Sequence, residues 1–259
     1  MRRALAAALP LAGLLAGAGP AAAAERLIAA LSEHRVLITS SYTGVQLMLF
    51  GSVERDAGSQ LRKGPYDIVA TVTGPHETLR ARSKSRVLGI WMNTQARTFV
   101  DVPAYLAVLA TAPLDVITSA ENQRHLQVGL THTPLPELIH NDVGVVANDP
   151  FQGELIRLMR ERGLYSQEPH AVTFLTPTLF RAAIKLPADV PTGHYRVDVK
   201  LFAEGNLLAR TDSTFDIVKV GFEQFVVNAA HQYGLLYGIA TALMALLTGW
   251  IASVTFRRD

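Results

Sequence analysis

An apolar run without a charged residue, at 235–254, is the feature that most restricts how this chain can fold. Its length matches the ~20 residues that an α-helix needs to cross a hydrocarbon core of ~30 Å. Arg257 and Arg258 follow the run, and positive residues flank the cytoplasmic side of membrane helices. We therefore predict a transmembrane helix at 233–254, with residues 255–259 as a cytoplasmic tail.

Small residues form a seam along this predicted helix at spacings of three or four. The seam consists of Gly234, Gly238, Thr241, Ala245, Gly249 and Ser253. Small residues let two helix backbones approach closely in lipid. The seam predicts docking on a partner helix, which belongs either to a second copy of the chain or to an integral membrane protein. The alternative is a chance match in a helix rich in Ala and Gly.

The first 24 residues have the composition of a secretory signal peptide. Arg2 and Arg3 precede an apolar run, and an Ala-x-Ala site ends at Ala24; these are the three parts of such a signal. We expect cleavage there, with an uncleaved N-terminal anchor as the alternative. The two ends together predict a single-pass protein of a bacterial inner membrane, with its ectodomain in the periplasm.

The composition excludes several classes of function. The chain has no cysteine, which excludes thiol redox chemistry and Cys-ligated metal centres. Without the arginines at the two ends and Asp259, the ectodomain carries 20 basic and 21 acidic residues, so no clustered positive field indicates nucleic-acid binding. Common catalytic and nucleotide-binding motifs are absent from the sequence. We predict no enzyme activity, no cofactor and no metal site.

Short apolar and β-branched runs, separated by Gly and Pro turns, dominate the ectodomain. They lie at 36–39, 45–50, 66–73, 78–84, 87–92 and 98–102, and return at 172–175, 179–186, 195–201 and 207–220. Such regular spacing is typical of a β-sandwich. Residues 34–39 also align with 170–175, and 64–68 with 193–197. The predicted fold is mainly β: two tandem Ig-like β-sandwich modules with a short helical insertion, plus the C-terminal transmembrane helix.

The predicted boundaries follow from this division. The two modules occupy 25–118 and 166–222, a helical or loop connection 119–165, and a juxtamembrane linker 223–232. Within the connection, Ser119 and Asp149 are predicted helix N-caps. Tyr195, two residues after Gly193, resembles the tyrosine corner of Ig-like sandwiches, in which the hydroxyl bonds to nearby backbone.

Four basic residues recur at every second position and form the strongest candidate site. They are Arg80, Arg82, Lys84 and Arg86, and on a strand they would project from one face as a ladder. Such an array can bind an oxyanion, an acidic partner or anionic lipid headgroups. The alternative is an edge strand protected by charge against aggregation, with the ladder neutralised by nearby Glu77, Asp67 and Asp101.

A second candidate group lies in the polar connection. Glu137, His140 and Asp142 would suit a hydrolase if the fold brought them together. This is the least favoured of three hypotheses for the function.

Several segments carry a resemblance that covers nearly the whole chain. They are residues 66–69, 84–93, 179–184, 193–195, 234–238 and 249–253. In these segments the chain resembles a family of uncharacterised transmembrane proteins from alphaproteobacteria. The family has no established activity and therefore implies no catalytic residues. Its members are often encoded beside permeases that resemble sulfite exporters, which implies a possible partner.

The resemblance and the sequence together lead to one main functional prediction. The chain is expected to be a membrane-anchored periplasmic accessory or interaction protein of an inner-membrane system, and the resemblance implies that this system is a sulfite-exporter-like permease. The two alternatives are a periplasmic sensor or solute-binding module for an oxyanion such as sulfite, and the periplasmic hydrolase.

Overall fold

The computed structural model describes residues 25–54, 65–87, 89–139, 142–144, 149–221, 230–231 and 233–255. The predicted signal peptide at 1–24 lies outside the described residues. Most of the predicted linker at 223–232 and most of the predicted tail at 255–259 also lie outside them.

Fourteen strands and four helices organise the described part of the chain, and 50% of the described residues lie in strands, which confirms the mainly β prediction. The strands are β1 Arg26–Leu31, β2 Arg35–Ile38, β3 Val45–Glu54, β4 Asp67–Thr73, β5 His76–Val87, β6 Ile90–Pro103, β7 Leu106–Ala110, β8 Glu137–Ile139, β9 Asp142–Gly144, β10 Tyr165–Glu168, β11 Val172–Phe174, β12 Leu179–Leu186, β13 Gly193–Ala203 and β14 Asn206–Lys219. The helices are α1 Leu114–Ile117, α2 Ala120–His125, α3 Pro150–Glu161 and α4 Gly234–Thr255.

The strands form three sheets. Sheet A has the order β1-β3-β12-β11, sheet B the order β10-β7-β4-β13-β14-β2, and sheet C the order β5-β6-β8-β9. Sheets A and B contribute to a single hydrophobic cluster, with Leu49 and Phe180 from sheet A and Val72 and Val199 from sheet B. The core is therefore that of one β-sandwich.

The predicted division into two tandem Ig-like modules is wrong. Strand β3 from the first predicted module pairs along its length with β12 from the second, and β4 pairs in the same way with β13. Because both sheets combine strands from the two halves, neither half has a core of its own. Of the similar segments at 64–68 and 193–197, residues 67–68 belong to β4 and residues 193–197 to β13, which are neighbouring strands of one sheet.

Strand β13 shows how the sequence pattern produces the sandwich. Val197, Val199 and Leu201 are fully buried in the cluster, and the alternate residues point to the other face of sheet B, as a period of two requires. The Tyr195 hydroxyl donates to the Pro191 carbonyl oxygen at 2.6 Å. The predicted tyrosine corner is thus present, and it anchors the start of β13.

The helical insertion begins and ends as its local sequence predicts. The Ser119 hydroxyl accepts from the Asn122 amide at 3.3 Å and caps α2. Asp149 Oδ1 accepts from the Phe151 amide at 3.0 Å and caps α3. Helix α3 ends before Gly163, whose φ of 71° lies in the left-handed region that glycine favours.

The C-terminal helix α4 is apolar and exposed, with Leu235 80% accessible. Within the described part of the chain, no helix combines the length and apolar character that a bilayer crossing requires. The predicted transmembrane helix at 233–254 is therefore wrong.

Sheet C begins as an excursion from sheet B. Strands β4 and β7 are antiparallel neighbours, and Thr73 at the end of β4 pairs with Leu106 at the start of β7. Between these two paired residues the chain leaves sheet B and forms the long hairpin of β5 and β6. This excursion carries the basic ladder.

Candidate functional site: a cationic hairpin arm

The predicted ladder lies on β5. Arg80, Arg82, Lys84 and Arg86 are all exposed, and they alternate with the half-buried Leu79, Ala81, Ser83 and Ser85. Their direct neighbours on β6 are Thr98, Ala96, Asn93 and Trp91. The four cations therefore share one face of the hairpin, and Trp91 lies on that face opposite Arg86.

The distal part of this hairpin, residues 80–97, forms an arm. Among the described residues, its two strands pair only with each other, because the contact of β6 with β8 is confined to Phe99 and Glu137. From Phe99 to Ile90 at the tip, a rise of ~3.3 Å per residue gives a reach of about 30 Å. A two-stranded ribbon of this kind is only marginally stable by itself in water, so a surface that holds it would add to its order.

The tip of the arm is apolar and open to solvent. Ile90, Trp91 and Met92 are 67%, 69% and 52% exposed. Arg86 Nε donates to the carbonyl oxygen of Gly89 at 3.2 Å, and Gly89 has a φ of 85°, which allows the tight reversal between the strands. Exposed apolar residues grouped in this way mark a contact surface for another molecule.

The arm has no compensating negative charge. The sequence contains no Asp or Glu from 78 to 100, although it contains five basic residues there. Among the described residues, no carboxylate forms a salt bridge with any of the four ladder cations. Asp67, one of the expected neutralising residues, instead accepts from the Thr111 hydroxyl at 2.7 Å. Among the described residues, the ladder is therefore unneutralised, contrary to that expectation.

The base of the arm is fixed by its fifth cation. Arg97 Nε lies 2.9 Å from Glu137 Oε1 and 4.0 Å from Asp149 Oδ2, and its guanidinium lies over the Phe151 ring at 5.3 Å. Burial raises the pKa of Glu137, repulsion from Asp149 raises it further, and Arg97 opposes both effects. The cluster joins β6 to β8 and to the start of α3.

The alternative role of the ladder stays open. Strand β5 is an edge strand of sheet C, and charged side chains protect such edges from pairing with other chains. Edge protection explains the ladder, but it does not explain the apolar tip, which increases the risk of association. The role of the ladder in binding an anion or a partner stays a prediction.

The hydrolase group is only partly described. Glu137 is buried and paired with Arg97, while His140 and the side chain of Asp142 lie outside the described residues. A carboxylate held by an arginine in this way is a structural ion pair. The geometry therefore gives no support to a catalytic use of Glu137.

The small-residue seam lies on α4. Its glycines have open space around them: a Cβ at Gly234, Gly238 or Gly249 would meet no described atom within 4 Å. The Thr241 hydroxyl donates to the Gly238 carbonyl oxygen at 2.9 Å within the helix. Ala245 and Ser253 are exposed on the same helix, and docking through the seam stays a prediction.

The fold and the arm define a β-sandwich protein that carries a projecting cationic hairpin with an apolar tip. Residues 26–258 match the family described as "Putative transmembrane protein (Alph_Pro_TM)", and the chain belongs to that family. The resemblance found in the sequence is thereby confirmed. A search among curated proteins finds no match. Family membership is consistent with association with a membrane and assigns no activity.

Proposed function

We propose that this protein is a non-catalytic accessory protein of a bacterial inner membrane, with its sandwich in the periplasm, and that its arm binds an anionic lipid surface. The observation that carries the proposal is the combination of four unneutralised cations with the exposed Ile90–Met92 tip. Each basic residue near an anionic membrane contributes about 1 kcal/mol of attraction. A tryptophan beside them suits the interface, where amphipathic rings prefer to lie.

The exposed apolar helix α4 supports membrane association independently of the arm. Its side chains, such as Leu246 at 71% exposure, form an apolar surface that another molecule has to cover. We expect the seam on this helix to contact an integral membrane protein, and a permease is the partner that the family resemblance implies. Replacing Gly238 and Gly249 by Leu should then reduce co-purification of that partner.

Tryptophan fluorescence can test the lipid contact of the arm directly. The chain has two tryptophans, so Trp250→Phe leaves Trp91 at the tip as the only reporter. The full chain should be added to vesicles rich in phosphatidylglycerol and, separately, to phosphatidylcholine vesicles. We expect the Trp91 emission to shift to the blue, and to be quenched by brominated lipid, only with the anionic vesicles. The readout is local to the tip, so binding through α4 does not affect it.

Matched charge reversals provide the control for this experiment. Arg82→Glu with Lys84→Glu should abolish the response of Trp91. Arg35→Glu with Arg181→Glu changes the net charge equally at exposed positions on the sandwich and should leave the response intact. An unchanged emission with anionic vesicles, or equal effects of the two pairs, would contradict the proposal. Aggregation caused only by the ladder reversal would support edge protection instead.

A further inference from the structure

A cleft of about 890 Å³ is lined by residues of sheet B and of the segments beside it. Residues of β4, β13 and β14 form its floor, and the segment that follows α2 lines its opposite side. The base of the hairpin, at His76 and Pro103, also contributes to the lining. The volume suits a small molecule.

The floor of the cleft holds three buried polar residues. Thr71, Asp198 and Lys200 are 8%, 8% and 4% exposed. Thr71 and Asp198 are direct neighbours across β4 and β13, and Lys200 lies two positions further along the same face of β13. They are thus adjacent on one polar patch of a sheet whose other face is apolar.

Two of these groups have unused hydrogen-bonding capacity. The Thr71 hydroxyl is buried without a hydrogen-bond partner among the described residues, which costs free energy unless another molecule supplies one. The Lys200 ammonium bonds to Asp198 Oδ2 and has no other partner in the described part of the chain. An ammonium has three donors, so two of its N–H groups have no acceptor among the described residues.

Asp198 does not neutralise all of the positive charge at the site. Its other oxygen, Oδ1, accepts from Arg210 Nε at 2.5 Å, so a single carboxylate is shared by two cations. The lining as a whole holds Arg196, Lys200 and Arg210 against Asp101 and Asp198, which leaves one positive charge in excess before any histidine is protonated. Lys200 is the buried cation among the three, and its described contact is to a carboxylate that it shares with Arg210, so an added anion would complete its pairing.

We propose that the cleft binds a small oxyanion, either a carboxylate or an inorganic oxyanion, through the Lys200 ammonium and the Thr71 hydroxyl. The bound oxygen atoms accept from both groups and so satisfy the two unpartnered donors at once. The exposed guanidinium groups of Arg196 and Arg210 lie at the rim and neutralise the remaining negative charge of the ligand. Asp198 orients Lys200 and Arg210 through its two oxygens.

Thermal unfolding of the full chain in non-ionic detergent tests this site. The probes are phosphate, sulfate, acetate and succinate, with chloride at matched ionic strength as the reference. A ligand present at ~100 times its Kd should raise Tm by about 5 °C or more relative to chloride. A response to phosphate or sulfate identifies an inorganic oxyanion, and a response to acetate or succinate identifies a carboxylate.

Two substitutions separate binding from structure. Thr71→Val keeps the shape and removes an unpartnered hydroxyl, so the free protein should unfold at the same Tm or a higher one while the increase caused by the ligand is lost. Lys200→Met should also abolish the increase. Thr173→Val, at an exposed position on β11 in sheet A, should respond like the unaltered chain. If no probe exceeds chloride, or if the increase survives Thr71→Val and Lys200→Met, the proposal is overturned.

Discussion

Replacing residues 82–96 by Asn-Gly should remove most of the arm and leave the sandwich folded. Ala81 and Arg97 are paired directly, and Asn-Gly closes a two-residue hairpin between strands in such a register. The truncated chain keeps Arg97 and therefore its contact with Glu137 at 2.9 Å. The base of the arm is unchanged by the deletion.

The expected magnitudes differ for stability and for binding. Residues 90–96 are all exposed, so their removal takes little apolar area from the core, and the free energy of unfolding should change by about 1 kcal/mol or less. For a chain of this size, that corresponds to a Tm change of about 2–4 °C. Loss of Arg82, Lys84 and Arg86 should remove about 3 kcal/mol of attraction to an anionic membrane, which corresponds to a roughly 100-fold weaker binding.

The assay compares partition of the full and truncated chains into anionic and neutral vesicles. Helix α4 has no charged residue, so its apolar contribution cancels in the ratio of the two partition coefficients. That ratio should fall about 100-fold on truncation at low salt, and the difference between the chains should shrink as salt screens the charges. An unchanged ratio would refute the role of the arm in lipid binding. A Tm loss of about 10 °C or more would show that the arm is part of the structural core.

Three further substitutions test the packing and electrostatics of the fold. Gly51→Ala should destabilise the sandwich by about 1–3 kcal/mol, because a Cβ there would overlap the Phe180 ring and lie 2.7 Å from a backbone oxygen. Denaturant unfolding measures this effect, and an unaltered midpoint would contradict this packing. Tyr195→Phe should cost about 1 kcal/mol in the same assay through loss of the bond to the Pro191 carbonyl, and a neutral result would mean that the corner adds no stability. Glu137→Gln should flatten the dependence of Tm on pH above about 4.5. Because the pKa of Glu137 is raised in the folded state, its contribution to stability is fully present below the unfolded-state pKa. That contribution is lost as the pH rises through the folded-state pKa. Parallel pH profiles for this variant and the unaltered chain would be inconsistent with that shift.

Features set by neighbouring residues could be predicted from the sequence. The caps at Ser119 and Asp149 depend on side-chain oxygens that reach amides two or three residues away. The Tyr195 corner closes over four residues, and the alternation along β13 follows from the period of a strand. In each case the partners are close in sequence, so a short pattern contains both.

The pairing of distant strands could not be predicted in the same way. Strands β3 and β12 are separated by more than 120 residues, yet they pair over eight positions. Any strand with one apolar face could take either place, and the alternating pattern does not distinguish them. The likeness of 64–68 to 193–197 therefore suggests repeated modules, although residues 67–68 and 193–197 lie in β4 and β13, adjacent strands of one sheet.

The site was predicted in part. The ladder can be predicted from the sequence because its spacing of two residues lies within one strand. The apolar tip could not be predicted, because the sequence favours one strand over 87–92, whereas the chain reverses between Val87 and Ile90. Gly89 was the available signal for that turn. No single sequence segment predicts the oxyanion cleft, because Thr71 and Lys200 belong to β4 and β13 and become neighbours only through the register of the sheet.

The position of the arm in the fold indicates that the sandwich can form without the arm. Thr73 and Leu106 already face each other in sheet B, so a short turn could join β4 to β7. The proximal hairpin adds core residues, including the fully buried Phe99 and Val102, whereas the arm beyond it is mostly exposed. Long excursions of this type from a compact domain are usually functional. Folding accounts for the base of the hairpin, whereas the four ladder cations and the exposed Trp91 lie beyond it, in the part of the hairpin that the proposed anionic surface would contact.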